Sequence, residues 1–135
     1  MLFGANNKKT RALATCVLLI ASLVGTVTVH ARQPANAEGQ QTVRLAELPS
    51  TGKDTYQRIL AGGPFAYEKD GVVFGNRERL LPPRQRGFYR EYTVKTPGQR
   101  NRGAQRIVCG GARPTAPEGC FYTNDHYASF RRIVE

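Results

Sequence analysis

Three kinds of side chain in the second half of the sequence could together perform acid–base chemistry on an anion. Glu91 lies in the middle of the run 88–96, whose aromatic and β-branched residues are typical of a strand. Arg102 and Arg106 have the same parity, so an extended chain would place both on one face. His126 is one of only two histidines. A carboxylate base, a histidine acid and an arginine clamp are what the cleavage of a phosphodiester without metal requires.

Each of these residues also has a simpler interpretation. Strand alternation places Glu91 on the face opposite Tyr92 and Val94, where it would belong to a solvated sheet surface. The arginines of 100–106 could form a basic edge, and a lone histidine in a loop is more often structural than catalytic. The spacing alone leaves both interpretations open.

Length and charge exclude several classes of protein. The chain has 135 residues with 20 Lys+Arg and 10 Asp+Glu, which allows one domain. Residues 1–37 contain four of the basic residues and none of the acidic ones, so 38–135 carry 16 basic and 10 acidic groups, net +6. One histidine and two cysteines in those 98 residues cannot form a closed four-ligand zinc site. The excess of positive charge favours a polyanionic partner.

The first 37 residues have the pattern of a secretory leader. Three basic residues precede the uncharged and mostly apolar run 12–29, and small residues then offer cleavage after Ala31 or Ala37. A membrane anchor is the alternative, since 18 uncharged residues are at the lower limit of a spanning length. We expect a signal peptide over 1–37, a domain over 38–135, and a secreted protein without membrane attachment after cleavage.

Export would place the two remaining cysteines in an oxidising environment. Cys109 and Cys120 flank a turn-rich segment of glycine and proline, and a disulfide closing that loop would contribute roughly 3 kcal/mol. A catalytic thiol is the alternative, but it would need a base and would have to stay unpaired outside the cell. The sequence favours the disulfide.

Helical periodicity occurs once, over 48–63. Ser50 and Thr51 are predicted to cap this helix, with Thr51 and Asp54 approximating a capping box. The Gly-Gly-Pro run at 62–64 is predicted to end it.

Short apolar runs separated by glycine and proline follow the helix, and residues 32–43 before it read as a loose polar arm. This order predicts an α+β fold, with one N-terminal helix packed on one face of a twisted antiparallel sheet and the other face free to carry a site. The predicted strands are 71–74, 88–96, 105–109, 121–123 and 127–134.

Four stretches, in order and nearly without gaps from about residue 43 to residue 134, resemble segments of one family. The family is that of the bacterial guanyl-specific extracellular ribonucleases, relatives of barnase. The resemblance implies the microbial ribonuclease fold and metal-independent cleavage of single-stranded RNA 3′ of guanosine, through a 2′,3′-cyclic phosphate that is then hydrolysed. The stretches are 63–78 (GPFAYEKDGVVFGNRE), 87–94 (GFYREYTV), 100–106 (RNRGAQR) and 123–130 (TNDHYASF).

The resemblance assigns catalytic roles by position. It makes Glu91 the general base and His126 the general acid. It makes Arg102 and Arg106 the groups that bind the phosphate and stabilise its developing charge. Tyr127 falls where the family has a tyrosine near the phosphate.

The resemblance also assigns the recognition of guanine. Glu78 would accept hydrogen bonds from N1 and N2 of the base, and backbone amides around Phe74, Asn76 and Arg77 would donate to O6. Phe74 and Arg77 would flank the ring. Gly75 replaces a larger polar residue of the family and could loosen this preference.

Two further departures concern cysteine and histidine. Arg44 stands where relatives have a cysteine, whose partner near the carboxyl terminus is also missing, so the Cys109–Cys120 pair is inferred from this sequence alone. Arg90 replaces a histidine that often precedes the catalytic glutamate.

The partners expected are RNA and a barstar-like intracellular inhibitor, with no cofactor and no metal, for a monomeric enzyme. Two alternatives remain. The protein could be a secreted, basic nucleic-acid-binding protein without catalysis, or a ribonuclease toxin that acts on competing cells.

Overall fold

A computed structural model describes residues 39–135 of the chain. The predicted leader and both of its cleavage sites lie outside the described residues. Within 39–135, no helix is long and apolar enough to cross a membrane. The elements are strand β1 (Thr42–Arg44), helix α1 (Ser50–Ala61), and strands β2 (Tyr89–Thr93), β3 (Arg106–Gly110), β4 (Gly119–Thr123) and β5 (Arg131–Val134).

Helix α1 ends as the sequence predicts but begins differently. Gly62 has the left-handed φ of 81° that a Cβ disfavours, and its N–H donates to the Ile59 carbonyl at 3.2 Å. The predicted cap is wrong, because Pro49 holds the N-cap position and no side chain caps the helix. Ser50 and Thr51 are instead its first two residues, and the Thr51 hydroxyl is buried without a hydrogen-bond partner among the described residues.

The five strands form one sheet in the order β1-β5-β4-β3-β2. Four of them are antiparallel neighbours, as predicted, whereas β1 pairs with β5 in parallel and makes the sheet mixed. The prediction of a loose arm up to residue 43 is therefore wrong for its last residues. Val43 pairs with Ile133 and is only 5% exposed, so its burial fixes a segment whose composition looked disordered.

Two predicted strands are shorter in the structure. In 71–74 only Val73 forms a bridge, to Arg90, although further backbone hydrogen bonds tie this segment to β2. The predicted strand over 127–134 begins only at Arg131, because His126 and Tyr127 have φ of 54° and 70° and belong to a turn. That turn holds two of the predicted site residues.

The sheet buries a core on each face. On the helix side, Ile59 packs with Tyr92, Val94 and Ile107. On the opposite face, Leu81 and Phe130 from the connecting segments cover Tyr89, Val108 and Phe121 of the strands. The sequence suggested that this face is free. In the structure it is covered in part by a second, smaller core. The site lies beside that core, where the strand residues become polar.

Cys109 and Cys120 form a disulfide, as predicted. They face each other across β3 and β4, with Cα atoms 4.1 Å apart. Both belong to the helix-side core, so the disulfide and the site with its polar strand residues lie on opposite faces of the sheet.

Candidate active site

Glu91, Tyr127 and Arg106 form a chain of hydrogen bonds on the face of the sheet away from the helix. The Tyr127 hydroxyl donates to Glu91 Oε2 at 2.9 Å, and Arg106 Nε donates to the same hydroxyl oxygen at 3.1 Å. The carboxylate comes from the middle of β2 and the guanidinium from the first residue of β3, so their separation is set by the strand register. The tyrosine joins them from the turn after β4.

Arg106 is held almost entirely by the protein. Its Nη1 donates to the carbonyl oxygens of Gly103 at 2.9 Å and Gln105 at 2.7 Å, and the residue is 2% exposed. Its Nη2 makes no hydrogen bond with the described residues. A fixed guanidinium with one free donor is suited to binding an oxyanion.

Arg102 reaches the same carboxylate from the loop before β3. Its Nη2 lies 3.4 Å from Glu91 Oε1, and its Nε donates to the Thr93 hydroxyl at 2.9 Å. The same Nη2 is 3.9 Å from Asp70, whose side chain is only 4% exposed. The parity argument assumed that Arg102 and Arg106 share one extended strand, but Arg102 lies in the loop before β3. The two arginines are still linked, since Arg102 contacts Glu91 directly and Arg106 contacts it through the Tyr127 hydroxyl.

His126 is presented by a turn that Asp125 and Thr123 stabilise. The Asp125 carboxylate accepts hydrogen bonds from the Thr123 hydroxyl at 2.8 Å and from the backbone and hydroxyl of Ser129. The bond from the Ser129 hydroxyl is the main cause that lowers the pKa of Asp125 below its usual value. The turn leaves the His126 ring exposed, 5.0 Å from that of Tyr127 between centroids.

The Tyr127 hydroxyl is protonated in the neutral pH range. Burial of the ring raises the pKa of Tyr127 first, and the hydrogen bond to the Glu91 carboxylate raises it further. The hydroxyl can therefore remain a donor to Glu91 while it accepts from Arg106.

A cleft of about 620 Å³ opens beside these groups. The predicted catalytic residues Glu91, His126 and Tyr127 line one end of it. The predicted base-recognition segment lines the rest, through Phe74, Gly75, Asn76, Arg77 and Glu78. The cleft is large enough for a nucleoside and brings together residues that are up to 57 positions apart in the sequence, from Val73 to Phe130.

The recognition segment is held in place by the side chain of Asn76 and by hydrogen bonding to β2. The Asn76 side-chain amide donates to the Leu81 carbonyl at 2.9 Å and accepts from the Leu81 N–H at 3.1 Å, so this side chain holds the segment in shape. The Phe74 N–H donates to the Tyr89 carbonyl at 2.9 Å, and the Phe74 ring stacks on that of Tyr127 at 5.3 Å. Glu78 and Arg77 are exposed on this frame.

Gly75 is not required by the backbone. Its φ lies outside the left-handed region, and the nearest atoms that a Cβ would meet belong to Arg77, at 3.6 and 3.8 Å. A Cβ would therefore fit there in ordinary van der Waals contact.

Two supporting residues were not singled out from the sequence. Asp70 accepts from the Thr93 N–H at 2.7 Å and lies near Arg102, while Asp125 holds the turn of His126. Both aspartates occur in segments with ordinary turn composition, where aspartate is common for local reasons. Within 39–135, no group of three or more potential metal ligands occurs.

The comparisons with known proteins agree with this geometry. A family model described as ribonuclease matches residues 31–134. Guanyl-specific ribonuclease St of Saccharopolyspora erythraea is 50% identical over 99 residues, covering 73% of this chain and 93% of the relative. Guanyl-specific ribonuclease Sa of Kitasatospora aureofaciens is 50% identical over 92 residues, covering 68% and 92%.

Solved structures extend the likeness to the fold. A crystal structure of ribonuclease Sa2 with guanosine-2′-cyclophosphate has a TM-score of 0.63 at 42% identity and covers 70% of this chain and 96% of its own. A second structure, of ribonuclease Sa2 complexes with mononucleotides, has a TM-score of 0.66 at 42% identity and covers 71% and 95%. The chain therefore belongs to the ribonuclease family, among the guanyl-specific microbial enzymes.

Proposed function

We propose that this protein is a guanyl-specific endoribonuclease that cleaves single-stranded RNA on the 3′ side of guanosine. The first product carries a 2′,3′-cyclic phosphate, which water then opens. The observation that carries the proposal is the hydrogen-bonded chain from Glu91 through Tyr127 to Arg106, on the wall of the same cleft that holds Glu78.

Guanine is chosen by hydrogen bonds at the recognition segment. Guanine presents donors at N1 and N2, and the Glu78 carboxylate in the cleft can accept both. The Phe74 N–H is already bonded to the Tyr89 carbonyl, so the expected donation to O6 falls to the backbone N–H groups of Asn76 and Arg77. The Phe74 and Arg77 side chains flank the ring. Adenine would present an acceptor at N1 to the carboxylate and leave its lost hydration uncompensated.

Glu91 acts as the general base. It removes the proton of the ribose 2′-hydroxyl, whose oxygen attacks the adjacent phosphorus. The Tyr127 hydroxyl and Arg102 donate to one carboxylate oxygen each, which fixes the orientation of the group between them. A preoriented base needs less rearrangement before proton transfer.

Arg102 and Arg106 stabilise the charge that develops on the phosphate. Arg106 is the more rigid of the two, since backbone carbonyls and Tyr127 hold it in place. Donors that are already oriented toward a developing negative charge stabilise the transition state most where water is excluded.

His126 acts as the general acid. It protonates the departing 5′-oxygen of the next nucleotide, and in the second step the roles of Glu91 and His126 reverse as water opens the cyclic phosphate. His126 lines the cleft and is itself exposed, so a leaving nucleotide has room to depart past it. DNA lacks the 2′-hydroxyl, so it should bind without being cleaved.

The proposal is tested by digesting one RNA of defined sequence, in the presence of a chelator, and mapping the ends. We expect cuts after guanosine that leave 2′,3′-cyclic phosphate ends, and no cleavage of the DNA of the same sequence. Glu91→Gln and His126→Ala should each lower the rate by about 10²–10⁴-fold, the usual contribution of acid–base catalysis.

The control is a binding measurement on the same variants. Glu91→Gln should still bind guanosine 3′-monophosphate, because the recognition segment is unchanged. A variant that keeps its rate within tenfold of wild type would remove that residue from the mechanism. RNA binding without any cleavage would instead identify a non-catalytic nucleic-acid-binding protein.

We further propose that the enzyme is secreted as a monomer after removal of a leader. The support is the sequence pattern of residues 1–37. Intact mass of the protein from culture medium should show a chain that begins at Arg32 or Glu38. A protein that retains its first residues in the membrane fraction would contradict this.

A cell that makes this enzyme also contains RNA, and we propose a barstar-like intracellular inhibitor as its protection. The net +6 charge of residues 38–135 would favour an acidic surface on such a partner. Cytoplasmic expression of residues 38–135 should arrest growth, and Glu91→Gln should relieve the arrest. Co-expression of a candidate inhibitor should relieve it for the unaltered enzyme too.

A further inference from the structure

A second cleft, of about 450 Å³, adjoins the first along the recognition segment. Residues 73–77 line both clefts and so form the wall between them. Val73, which belongs to this wall, is 42% exposed and offers apolar surface at the edge of each. The rest of the second cleft is formed by the segment that leads into β2, through Arg84, Gln85, Arg86 and Tyr89.

The second cleft is basic, unlike the first. Arg77, Arg84 and Arg86 line it, and no carboxylate does, whereas Glu78 and Glu91 both line the first cleft. None of the three arginines forms a salt bridge with a described residue. Three exposed guanidinium groups around one concave surface are suited to a phosphate group.

Arg84 is also held in place. Its guanidinium carbon lies 4.8 Å from the centre of the Phe88 ring. This contact lowers the freedom that a surface arginine would lose on binding an anion. The cleft is thus partly organised before any ligand arrives.

The direction of the RNA decides which phosphate could reach this cleft. In the proposed mechanism the scissile phosphate and all nucleotides 3′ of it lie at Glu91, His126 and Tyr127, and none of these residues lines the second cleft. The guanine occupies the first cleft against the shared wall. The part of the substrate left to cross that wall is the chain attached to the 5′-oxygen of the guanosine.

We propose that Arg84 and Arg86 form a subsite for the phosphodiester on the 5′ side of the guanosine, with Arg77 at the boundary between the two clefts. This subsite rests on the proposed function, because it extends the same RNA strand. It would make the enzyme more efficient on guanosines inside a chain than on a 5′-terminal guanosine.

The test compares three short RNAs under low salt: GpC, UpGpC and GpCpC. The readout is the ratio of kcat/KM for each trinucleotide to that for GpC, taken within each protein. For the unaltered enzyme, the added 5′ nucleotide should raise kcat/KM by roughly three- to tenfold, the order expected for one or two exposed charge contacts. In Arg84→Gln/Arg86→Gln this gain should fall to less than about twofold, while any gain from the 3′ nucleotide should be retained.

The matched control is Lys53→Gln/Arg113→Gln, which removes the same charge from residues that line neither cleft. This control should keep the increase in kcat/KM from the 5′ nucleotide. Arg84→Lys/Arg86→Lys, which retains the charge, should keep most of it. The inference is overturned if the added 5′ nucleotide does not raise kcat/KM for the unaltered enzyme. It is also overturned if Arg84→Gln/Arg86→Gln and the control lose this increase equally, or if Arg84→Gln/Arg86→Gln loses the increase from the 3′ nucleotide instead. Failure to cleave GpC at all would refute the proposed function, and the subsite with it, whereas cleavage of GpC without a 5′ gain refutes the subsite alone.

Discussion

The hydroxyl of Tyr127 forms hydrogen bonds with both the proposed general base, Glu91, and the proposed phosphate-binding Arg106. It donates to Glu91 and accepts from Arg106, and burial together with the carboxylate raises the pKa of Tyr127, so that this donor persists at neutral pH. A buried hydrogen bond to a charged group is stronger than one between neutral groups. The position of Glu91 relative to the phosphate therefore depends on this side chain.

Tyr127→Phe should lower kcat more than it raises KM for a guanosine-containing dinucleotide. The ring and its stacking on Phe74 remain, but the link between Glu91 and Arg106 is lost. We expect a decrease of about ten- to a hundredfold, since hydrogen bonds to charged groups contribute about 1.5–3 kcal/mol.

Tyr122→Phe is the matched control for that experiment. It also removes a buried tyrosine hydroxyl with a hydrogen bond, to Gln105 Oε1 at 2.7 Å, but its ring lies in the helix-side core. Its kcat should stay near that of wild type. Equal losses in the two variants would show that Tyr127 acts only through stability.

At this scale the sequence predicted the principal residues but not their supports. Glu91 and His126 could be found because an isolated carboxylate in a strand and a rare histidine are unusual, and the resemblance then gave them roles. Asp70 and Thr93 could not be found, because they act on Arg102 through contacts that depend on how a turn folds against β2. Neither residue type is unusual where it occurs.

The turn between β4 and β5 is the element that presents the proposed general acid. Its residues His126 and Tyr127 both have left-handed φ, a conformation that costs free energy for residues other than glycine. The Asp125 side chain compensates through its hydrogen bonds to Thr123 and Ser129. The sequence predicted a strand from residue 127, since apolar alternation carries no information on side-chain bonds of this kind.

Asp125→Ala should lower activity by roughly tenfold through misplacement of His126, without any contact with the substrate. Ser129→Ala, which removes only one of the bonds to Asp125, should have a smaller effect. Circular dichroism should show both variants folded. A wild-type rate in Asp125→Ala would mean that the turn keeps its shape without the carboxylate.

The pH dependence of this element has a definite sign. The pKa of Asp125 is lowered in the folded protein, so its contribution to stability is present above its ordinary value of 3.8 and is lost as the pH falls below it. The loss of stability on acidification through that range should be smaller in Asp125→Ala than in wild type.

The disulfide supports the other face of the sheet. Replacing Cys109 and Cys120 by serine should lower the free energy of unfolding by about 3 kcal/mol, because the bond restricts the unfolded chain between two residues 11 positions apart. The melting temperature should fall by more than about 10 °C for a domain of this size. The kcat of the folded protein should stay within a few-fold, since the cysteines face the helix and not the cleft. A loss of kcat comparable to that of Tyr127→Phe would show that the sheet transmits strain to the site.

At the scale of the whole molecule, one face of the sheet carries the main core and the other carries the candidate site. The face toward α1 is covered by a continuous apolar core, while the opposite face passes from a smaller core into the polar groups around Glu91. The fold class could be predicted because one helix and several short runs leave few alternatives. The parallel β1 could not, because three residues of ordinary composition pair with a strand at the far end of the chain.

The whole account depends most directly on the choice of guanine by Glu78. The decisive measurement is the ratio of kcat/KM for GpC to that for ApC, in wild type and in Glu78→Ala. Sites built on hydrogen bonds of this kind reject the wrong partner by roughly 10⁴-fold or more, whereas stacking on Phe74 and Arg77 alone would discriminate weakly. We predict a large ratio for wild type and its collapse in Glu78→Ala, with a smaller effect on turnover. A reduced but real preference in wild type would implicate Gly75, and cleavage of ApC within tenfold of GpC would contradict the account.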